Sequence, residues 1–246
     1  MTALLLTCAT LTALLMCNLM APLAMAAADT TITPLLSPDL LNAKGALTLT
    51  INYGEGEDGI PLPLRRLSVK FPIGLSLNIP AISGCPAARL RSRGPRGCAH
   101  QSELGSGHAL VEAPAGSQRI TEDIHLWVFL GPPQGLQPTF EVFGEGRTPL
   151  LERLVLGGTV IPASTPYGEE LVMNVPPIPT LPLEPNASIA NLTLTVGTSI
   201  HRLAPDANTI VVPGSCPTGG FPFAGEFTYA TGTIGSALAT TLCPRQ

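Results

Sequence analysis

The chain has 246 residues, a formal net charge of −4 at pH 7, and charged side chains at only 12% of its positions. Aromatic residues make up 4%, whereas glycine and proline are abundant, with 25 and 26 residues respectively. This balance excludes a coiled coil, a nucleic-acid-binding protein and a highly charged disordered tail, which have very different charge contents. Hydrophobic residues, at 45% of positions, are sufficient for a folded core.

The first 28 residues predict a secretory signal peptide. They carry no charged side chain, and the stretch from Ala3 to Ala26 is almost entirely apolar. It ends in two alanine-rich triplets, residues 24–26 and 26–28, which are typical of signal-peptide cleavage sites. We therefore expect cleavage after Ala26 or Ala28. The mature domain, residues 29–246, would then be secreted or associated with the cell envelope.

Two other roles of this segment stay open. A run of about 20 apolar residues can span a bilayer, so the segment could instead be a signal anchor. No Lys or Arg flanks it to hold it in place. A lipoprotein would use Cys17, but Met16 stands where a small residue is expected before the modified cysteine. Membrane contact is therefore expected only if the segment is retained.

Alternation of apolar and polar residues recurs along the mature chain and predicts β-strands. It is clear at residues 47–53, 67–71 and 190–196, and weaker at 155–161, where two glycines interrupt it. Each pattern is typical of a strand with one face on a core and the other toward water. Proline-rich stretches between them belong to loops, because proline cannot donate a hydrogen bond to a neighbouring strand.

The cysteines of the mature chain predict two disulfides. Cys8 and Cys17 lie in the signal segment, which leaves an even number in an exported chain. Four cysteines allow three pairings, and we favour the two local ones because each closes a short loop: Cys85 with Cys98, and Cys216 with Cys243. A zinc site is the alternative, but no CxxC pair and no histidine at ligand spacing supports it. We therefore predict no metal site.

The loop between the first two of these cysteines carries four arginines, Arg89, Arg91, Arg93 and Arg96. Guanidinium groups on a constrained loop can hold a phosphate, a carboxylate or an anionic glycan. We favour the simpler interpretation, a polar disulfide loop that is solvated and carries little apolar surface. One helical turn is predicted within it, over residues 86–92.

The stretch Ile124–Leu130 is apolar at both parities. This pattern predicts a central strand, or a strand whose second face is covered by a loop. It favours Trp127 as a core residue over Trp127 as part of a sugar-stacking platform.

Common catalytic-nucleophile and phosphate-binding motifs are absent from the sequence. Ser106 and His108 would share one face of a strand, but we interpret the glycine–serine–glycine segment there as a turn that enters a strand. Glu122, Asp123 and His125 could ligate a metal with a distant carboxylate, and we interpret them instead as the solvated start of the Trp127 strand.

Two further candidates are weak. Glu169 and Glu170 are adjacent in a predicted strand, so their side chains point to opposite faces and cannot work as a paired acid and base. His201 is interpreted as a loop residue. We therefore predict no catalytic residue and no cofactor.

The end of the chain predicts a β-hairpin. Phe221, Phe223, Phe227 and Tyr229 fall on one face, a turn follows around Gly232, and a second apolar stretch runs over 234–242. A bond from Cys243 to Cys216 would fasten the second strand of this hairpin to the entry of the first.

Two stretches of the mature chain resemble a group of uncharacterised secreted actinobacterial proteins with predicted β-sandwich folds. The first contains Cys85-Pro86, Leu90, Arg93-Gly94-Pro95, Cys98, Ser102, Gly105, Gly107 and Ala109. The second contains Cys216-Pro217, Phe221, Phe223, Phe227 and Cys243-Pro244. The resemblance covers most of the mature chain and is specific around the four cysteines. It implies export, two local disulfides and a β fold, and it implies no catalytic residue.

These observations predict an all-β protein with an immunoglobulin-like or related antiparallel β-sandwich, Pro-rich connectors and two disulfides. No flexible linker divides residues 29–246, so we expect one elaborated domain. The expected function is non-catalytic, with a binding or structural role at the cell envelope or outside the cell and a glycan or a protein as partner. An extracellular carbohydrate-active hydrolase and a signal-anchored surface protein are the two alternatives.

Overall fold

The computed structural model describes residues 29–56, 58–78, 84–116, 118–147, 152–180, 185–197 and 209–244. The predicted signal peptide, residues 1–28, and His201 lie outside them. The strands are β1 (Thr31–Ser37), β2 (Lys44–Asn52), β3 (Leu64–Pro72), β4 (Ser76–Asn78), β5 (Glu103–Ala115), β6 (Gln118–Leu130), β7 (Thr139–Gly146), β8 (Glu152–Pro162), β9 (Tyr167–Asn174), β10 (Ser188–Val196), β11 (Thr209–Val211), β12 (Phe221–Tyr229) and β13 (Ile234–Thr241). One helix, α1 (Ala87–Arg93), and two short 3₁₀ turns precede β5. The prediction of an all-β fold is confirmed.

The strands form one antiparallel sheet in the order β13-β12-β3-β9-β8-β7-β6-β5-β10-β2-β11-β4, and β1 also pairs with β2. The sheet folds over on itself, so that β1 lies next to β13. There the Thr241 hydroxyl donates to the carbonyl oxygen of Pro34 at 3.5 Å. The two halves of the sheet therefore enclose a core between them in a β-sandwich-like arrangement. The immunoglobulin-like detail is not confirmed by this strand order.

The alternating strands place their apolar parity in this core, as predicted. Ile51 of β2 and Val69 of β3 have no more than 1% of their surface exposed. On the last two strands Phe221, Phe223 and Phe227 are fully buried. The rings of Phe227 and Tyr53 meet edge to face, with centroids 5.4 Å apart. Aromatic packing between the two halves of the sheet therefore supplies much of the core.

The predicted hairpin and both predicted disulfides are confirmed. β12 and β13 pair from Phe221 with Thr241 onward, and Tyr229, the fourth aromatic residue of the inward face, is buried. Cys216 is bonded to Cys243, with Cα atoms 5.7 Å apart, and this bond joins the two open ends of the hairpin. The second disulfide joins Cys85 to Cys98.

A second, smaller core lies on the outer face of the sheet, under α1. Leu90 of α1 is fully buried and packs with Phe129 of β6, Phe143 of β7 and Val155 of β8. This confirms that β6 is covered on both faces and that the disulfide loop contains a helical turn. The expectation that the loop carries little apolar surface is wrong, because its single leucine points at the sheet while the arginines around it point to solvent.

Two local interpretations are also wrong. Gly105-Ser106-Gly107 lies inside β5 and is not a turn. The two glycines are needed because β10 approaches closely, so that a Cβ at either position would collide with a backbone carbonyl oxygen of β10. Asp123 and His125 lie in the middle of β6 and not at its start, because β6 begins at Gln118.

Candidate functional site

Strand pairing aligns four polar residues in a row across the outer face of the sheet. His108 of β5 is paired with His125 of β6, His125 with Glu145 of β7, and Glu145 with Arg153 of β8. Their neighbours of opposite parity point into the core, so the row faces outward. The row depends on the register of four strands, because a shift of one residue would turn a side chain to the other face.

The two histidines and Asp123 form a chain of hydrogen bonds. His108 Nδ1 lies 3.2 Å from Asp123 Oδ1, and His125 Nδ1 lies 3.4 Å from His108 Nε2. A carboxylate only accepts, so neutral His108 donates from Nδ1 and accepts at Nε2 from His125. Burial and the nearby His108 lower the pKa of His125. With both imidazoles neutral, this arrangement leaves His125 Nε2 as an acceptor for an incoming hydroxyl group.

Aromatic rings continue the site toward the small outer core. The Trp127 ring lies against His125, with centroids 4.0 Å apart and planes at 77°, and next to Phe143 at 5.8 Å. Trp127 is half-buried, so it serves partly as core, as expected, and also forms a wall of the site. Phe143 lies below α1 and packs against Trp127 from the neighbouring strand β7.

Glu145 is paired with two arginines. Its carboxylate accepts from Arg147 at 2.9 Å and from Arg153 at 3.0 Å, and only 13% of its side chain is exposed. The hydrogen bond from Arg147, helped by Arg153, lowers the pKa of Glu145. The carboxylate is therefore ionised at neutral pH.

Together these residues line an open groove of about 510 Å³, bounded by His108, Asp123, His125, Trp127, Glu145 and Arg147. This volume lies within the range of small-molecule sites. The groove combines ring faces with hydrogen-bond donors, acceptors and both signs of charge. We refer to it as the outer groove.

The four arginines of the first disulfide loop are all exposed. Arg89 and Arg93 lie one helical turn apart and both flank Gly97. Among the described residues no ion pair is formed by any of the four, although the charge of Arg91 acts on Glu141 and opposes the rise in its pKa that burial causes. The loop adjoins the outer groove because Gly94 approaches the ring of Phe143, which contacts Trp127.

Glu141→Gln is expected to raise stability by about 1 kcal/mol near pH 7, because the amide removes a partly buried negative charge whose Oε2 has no hydrogen-bond partner among the described residues. Burial raises the pKa of Glu141 above its ordinary 4.5. The folded chain therefore holds this proton more tightly than the unfolded chain, and stability falls as the pH rises from 4.5 through the raised value. Thermal unfolding at about pH 7 and about pH 4 should show the gain only at the higher pH.

Glu145→Gln is the matched control on the same strand. Its pKa is lowered in the folded state, so its contribution is present at neutral pH and disappears on acidification. The control should lose about 1 kcal/mol near pH 7. If both variants shift in the same direction at that pH, the opposite environments assigned to the two carboxyl groups are wrong.

A second candidate site is an apolar cavity of about 130 Å³ between the two halves of the sheet. It lies where β2 and β10 face β7 and β9, near the carboxyl end of β10. The space is open on one side, where Ser76 and Glu169 of its wall are exposed.

The other candidate residues from the sequence do not line the outer groove. Glu169 and Glu170 point to opposite faces, as predicted: Glu170 accepts a hydrogen bond from Ser68, and Glu169 lines the apolar cavity. Glu122 lies on the other face of β6 from Asp123 and His125. No group of three His, Cys, Asp or Glu side chains in the described part of the chain is arranged to hold a metal ion. Within the same residues, no helix has the length and apolarity required to cross a membrane.

Comparison of the chain with family models, with curated proteins and with solved structures finds no significant match. The outer groove therefore has to be interpreted from its own geometry. The sequence groups Asp123 with His125, as possible metal ligands, but does not connect them with His108 or with Trp127. Glu145, Arg147 and Arg153 were missed, because β7 and the register of β8 against it were not predicted.

Proposed function

We propose that the mature domain is an exported, non-catalytic protein that binds an acidic glycan of the cell envelope in its outer groove. The observation that carries this proposal is the row His108–His125–Glu145–Arg153 beside the Trp127 ring. A sugar has hydroxyl groups that need donors and acceptors, and an apolar C–H face that packs on an aromatic ring. The groove offers both within one surface.

The exposed arginines of the disulfide loop favour an acidic sugar over a neutral one. The groove itself holds the carboxylates of Asp123 and Glu145 beside Arg147, and both Arg147 and Arg153 are paired with Glu145. The disulfide loop, with Arg89 and Arg93 exposed, adjoins the other side through Phe143. Guanidinium groups bind carboxylate and phosphate well because their planar donors can contact two oxygens at once.

The carboxyl groups of the groove favour binding over hydrolysis. A glycosidase needs one carboxyl group that stays protonated near neutral pH, which requires a raised pKa. The two arginines instead lower the pKa of Glu145. Asp123 is 71% exposed and hydrogen-bonded to His108, so it lies in a polar environment.

Export is supported by the two disulfides, which persist in oxidising compartments. It is also supported by the apolar, uncharged segment at residues 1–28. The resemblance around the four cysteines agrees with this location, and we include the chain in that secreted actinobacterial group as part of the proposal.

Binding to polygalacturonate, an acidic polysaccharide, tests the proposal, with neutral dextran as the comparison. Isothermal titration calorimetry at low ionic strength should detect binding of polygalacturonate and no binding of dextran. His125→Ala removes the free acceptor and the ring beside Trp127, and should weaken binding roughly tenfold, equivalent to about 1.4 kcal/mol. Changing Arg89, Arg91, Arg93 and Arg96 together to Ser should remove most of the salt dependence of binding.

The matched control is Arg65→Ser with Arg66→Ser, two exposed arginines on β3. This pair should leave the affinity within about twofold, since exposed charges away from the site contribute little. Absence of polygalacturonate binding by the wild type, or equal affinity of the His125→Ala variant, would refute the groove as a glycan site. Release of reducing ends from the polymer would favour the hydrolase alternative.

A further inference from the structure

We propose that the apolar cavity between the two halves of the sheet is a second binding site, for a small molecule with a hydrocarbon body and a hydrogen-bond-donating head group. The ligand class is an aromatic or alicyclic alcohol or amine. The cavity is about 130 Å³. An apolar cavity of roughly 150 Å³ stays dry and takes up a benzene-sized molecule, so one six-membered ring fills this space.

The walls contain almost only aliphatic and aromatic side chains. Val128, Val142 and Met173 form the buried floor, while Phe71 and Phe140 are half-buried nearer the opening. A smaller apolar space of about 50 Å³ continues from it and shares Val142, Met173 and Leu194. A ring with a short alkyl substituent therefore fits better than a long acyl chain.

The polar side chains in the cavity wall are Ser76 and Glu169, and both are exposed. They mark the side at which a head group would meet solvent. The carboxylate of Glu169 accepts hydrogen bonds from a hydroxyl or an ammonium group and repels a second carboxylate. The apolar walls partly desolvate this carboxyl group and raise its pKa, although the side chain is largely exposed. The site is therefore selective for an alcohol or an amine against an acid.

This inference is independent of the proposed glycan function. The cavity lies between the two halves of the sheet, on the inner face, and the outer groove lies on the outer face. No residue lines both. Either site can fail its test without affecting the other.

The test is an NMR titration of the full mature chain with benzyl alcohol, benzylamine or benzoate at neutral pH. Binding is measured from the chemical shifts of the protein's methyl groups. The alcohol and the amine should bind saturably and shift the methyl signals of Val128, Val142 and Leu171. Benzoate should bind at least about tenfold more weakly, because its carboxylate would meet Glu169. In Glu169→Gln, the affinities for benzoate and benzyl alcohol should approach each other to within about threefold.

A filling substitution checks the location. Val160 lines the cavity and is half-buried, so Val160→Phe should place a ring in the cavity and abolish binding of benzyl alcohol. Val172→Phe is the matched control, because Val172 is also half-buried but does not line the cavity. It should leave the affinity within about twofold.

Three results would overturn the proposal: no saturable binding of benzyl alcohol, unchanged binding in Val160→Phe, or shifts confined to the outer groove. If Val160→Phe does not fold, Glu169→Gln decides the matter. An unchanged preference for the alcohol over benzoate in that variant would remove Glu169 from the site and refute the proposed head-group chemistry.

Discussion

Replacing Cys216 and Cys243 together with serine is expected to lower the free energy of unfolding by about 2–5 kcal/mol. The bond joins the entry of β12 to the end of β13. β13 is the end strand of the sheet order and pairs with β12 on one side, so the bond helps to hold an edge strand in place. The face held in place carries Phe221, Phe223 and Phe227, all fully buried, so opening the hairpin would expose the centre of the core.

Urea unfolding measures this loss, and hydrogen exchange shows where it occurs. Exchange should increase first in β12 and β13, and then in β3, which pairs with β12. Cys85→Ser with Cys98→Ser is the comparison, and its increase in exchange should be concentrated in α1. Peptide mapping without reduction checks the premise. A fragment that joins Cys85 to Cys216 or Cys243 would contradict the pairing on which both expectations depend.

The strands that were predicted from sequence are those with a clear parity of apolar side chains. β2, β3 and β10 each bury one face, and their alternation is visible directly. β5 was missed at its start because Gly105 and Gly107 resemble a turn, although close approach of β10 is what requires them. β7 contains glycine and glutamate at positions that a local pattern assigns to loops, and β9 was predicted only around Glu169 and Glu170. Only pairing with neighbouring strands explains these residues.

The outer groove could be predicted less well than the fold, for a physical reason. Its residues are contributed by four strands, and what brings them together is register, which is fixed by long-range pairing. A histidine two residues from a tryptophan is an ordinary strand pattern. It forms part of a site only because strand pairing places Glu145 of β7 and Arg153 of β8 in the same row. The disulfide pairing was easier, because short loops between cysteines are visible in the sequence itself.

The composition of the disulfide loop does not predict how the loop packs on the sheet. Four exposed arginines surround one leucine, so an average over the loop predicts a solvated segment. Burial is decided residue by residue, however, and Leu90 occupies the one helical position that faces the sheet. The loop therefore covers Phe129 and Phe143. It connects the arginines rigidly to the wall of the outer groove.

Phe143→Ala is therefore expected to be the most damaging single substitution on the outer face, at about 3–5 kcal/mol. Phe143 is 1% exposed, packs in the small outer core with Leu90, and contacts the Trp127 ring. Removing its ring leaves a cavity that α1 cannot fill, because the Cys85–Cys98 bond and the short helix restrict its movement. Urea unfolding of the variant, compared with the wild type, measures the loss.

The same substitution should weaken polygalacturonate binding even where the variant is still folded, because Trp127 loses the ring that positions it against His125. Phe143→Leu keeps most of the volume and should cost only about 1 kcal/mol, with binding largely retained. A double-mutant cycle with Leu90→Ala should show a coupling of about 0.5–3 kcal/mol, since both side chains belong to one cluster. Additive losses would mean that α1 and β7 are stabilised separately, and that the arginine loop is not coupled to the groove through Phe143.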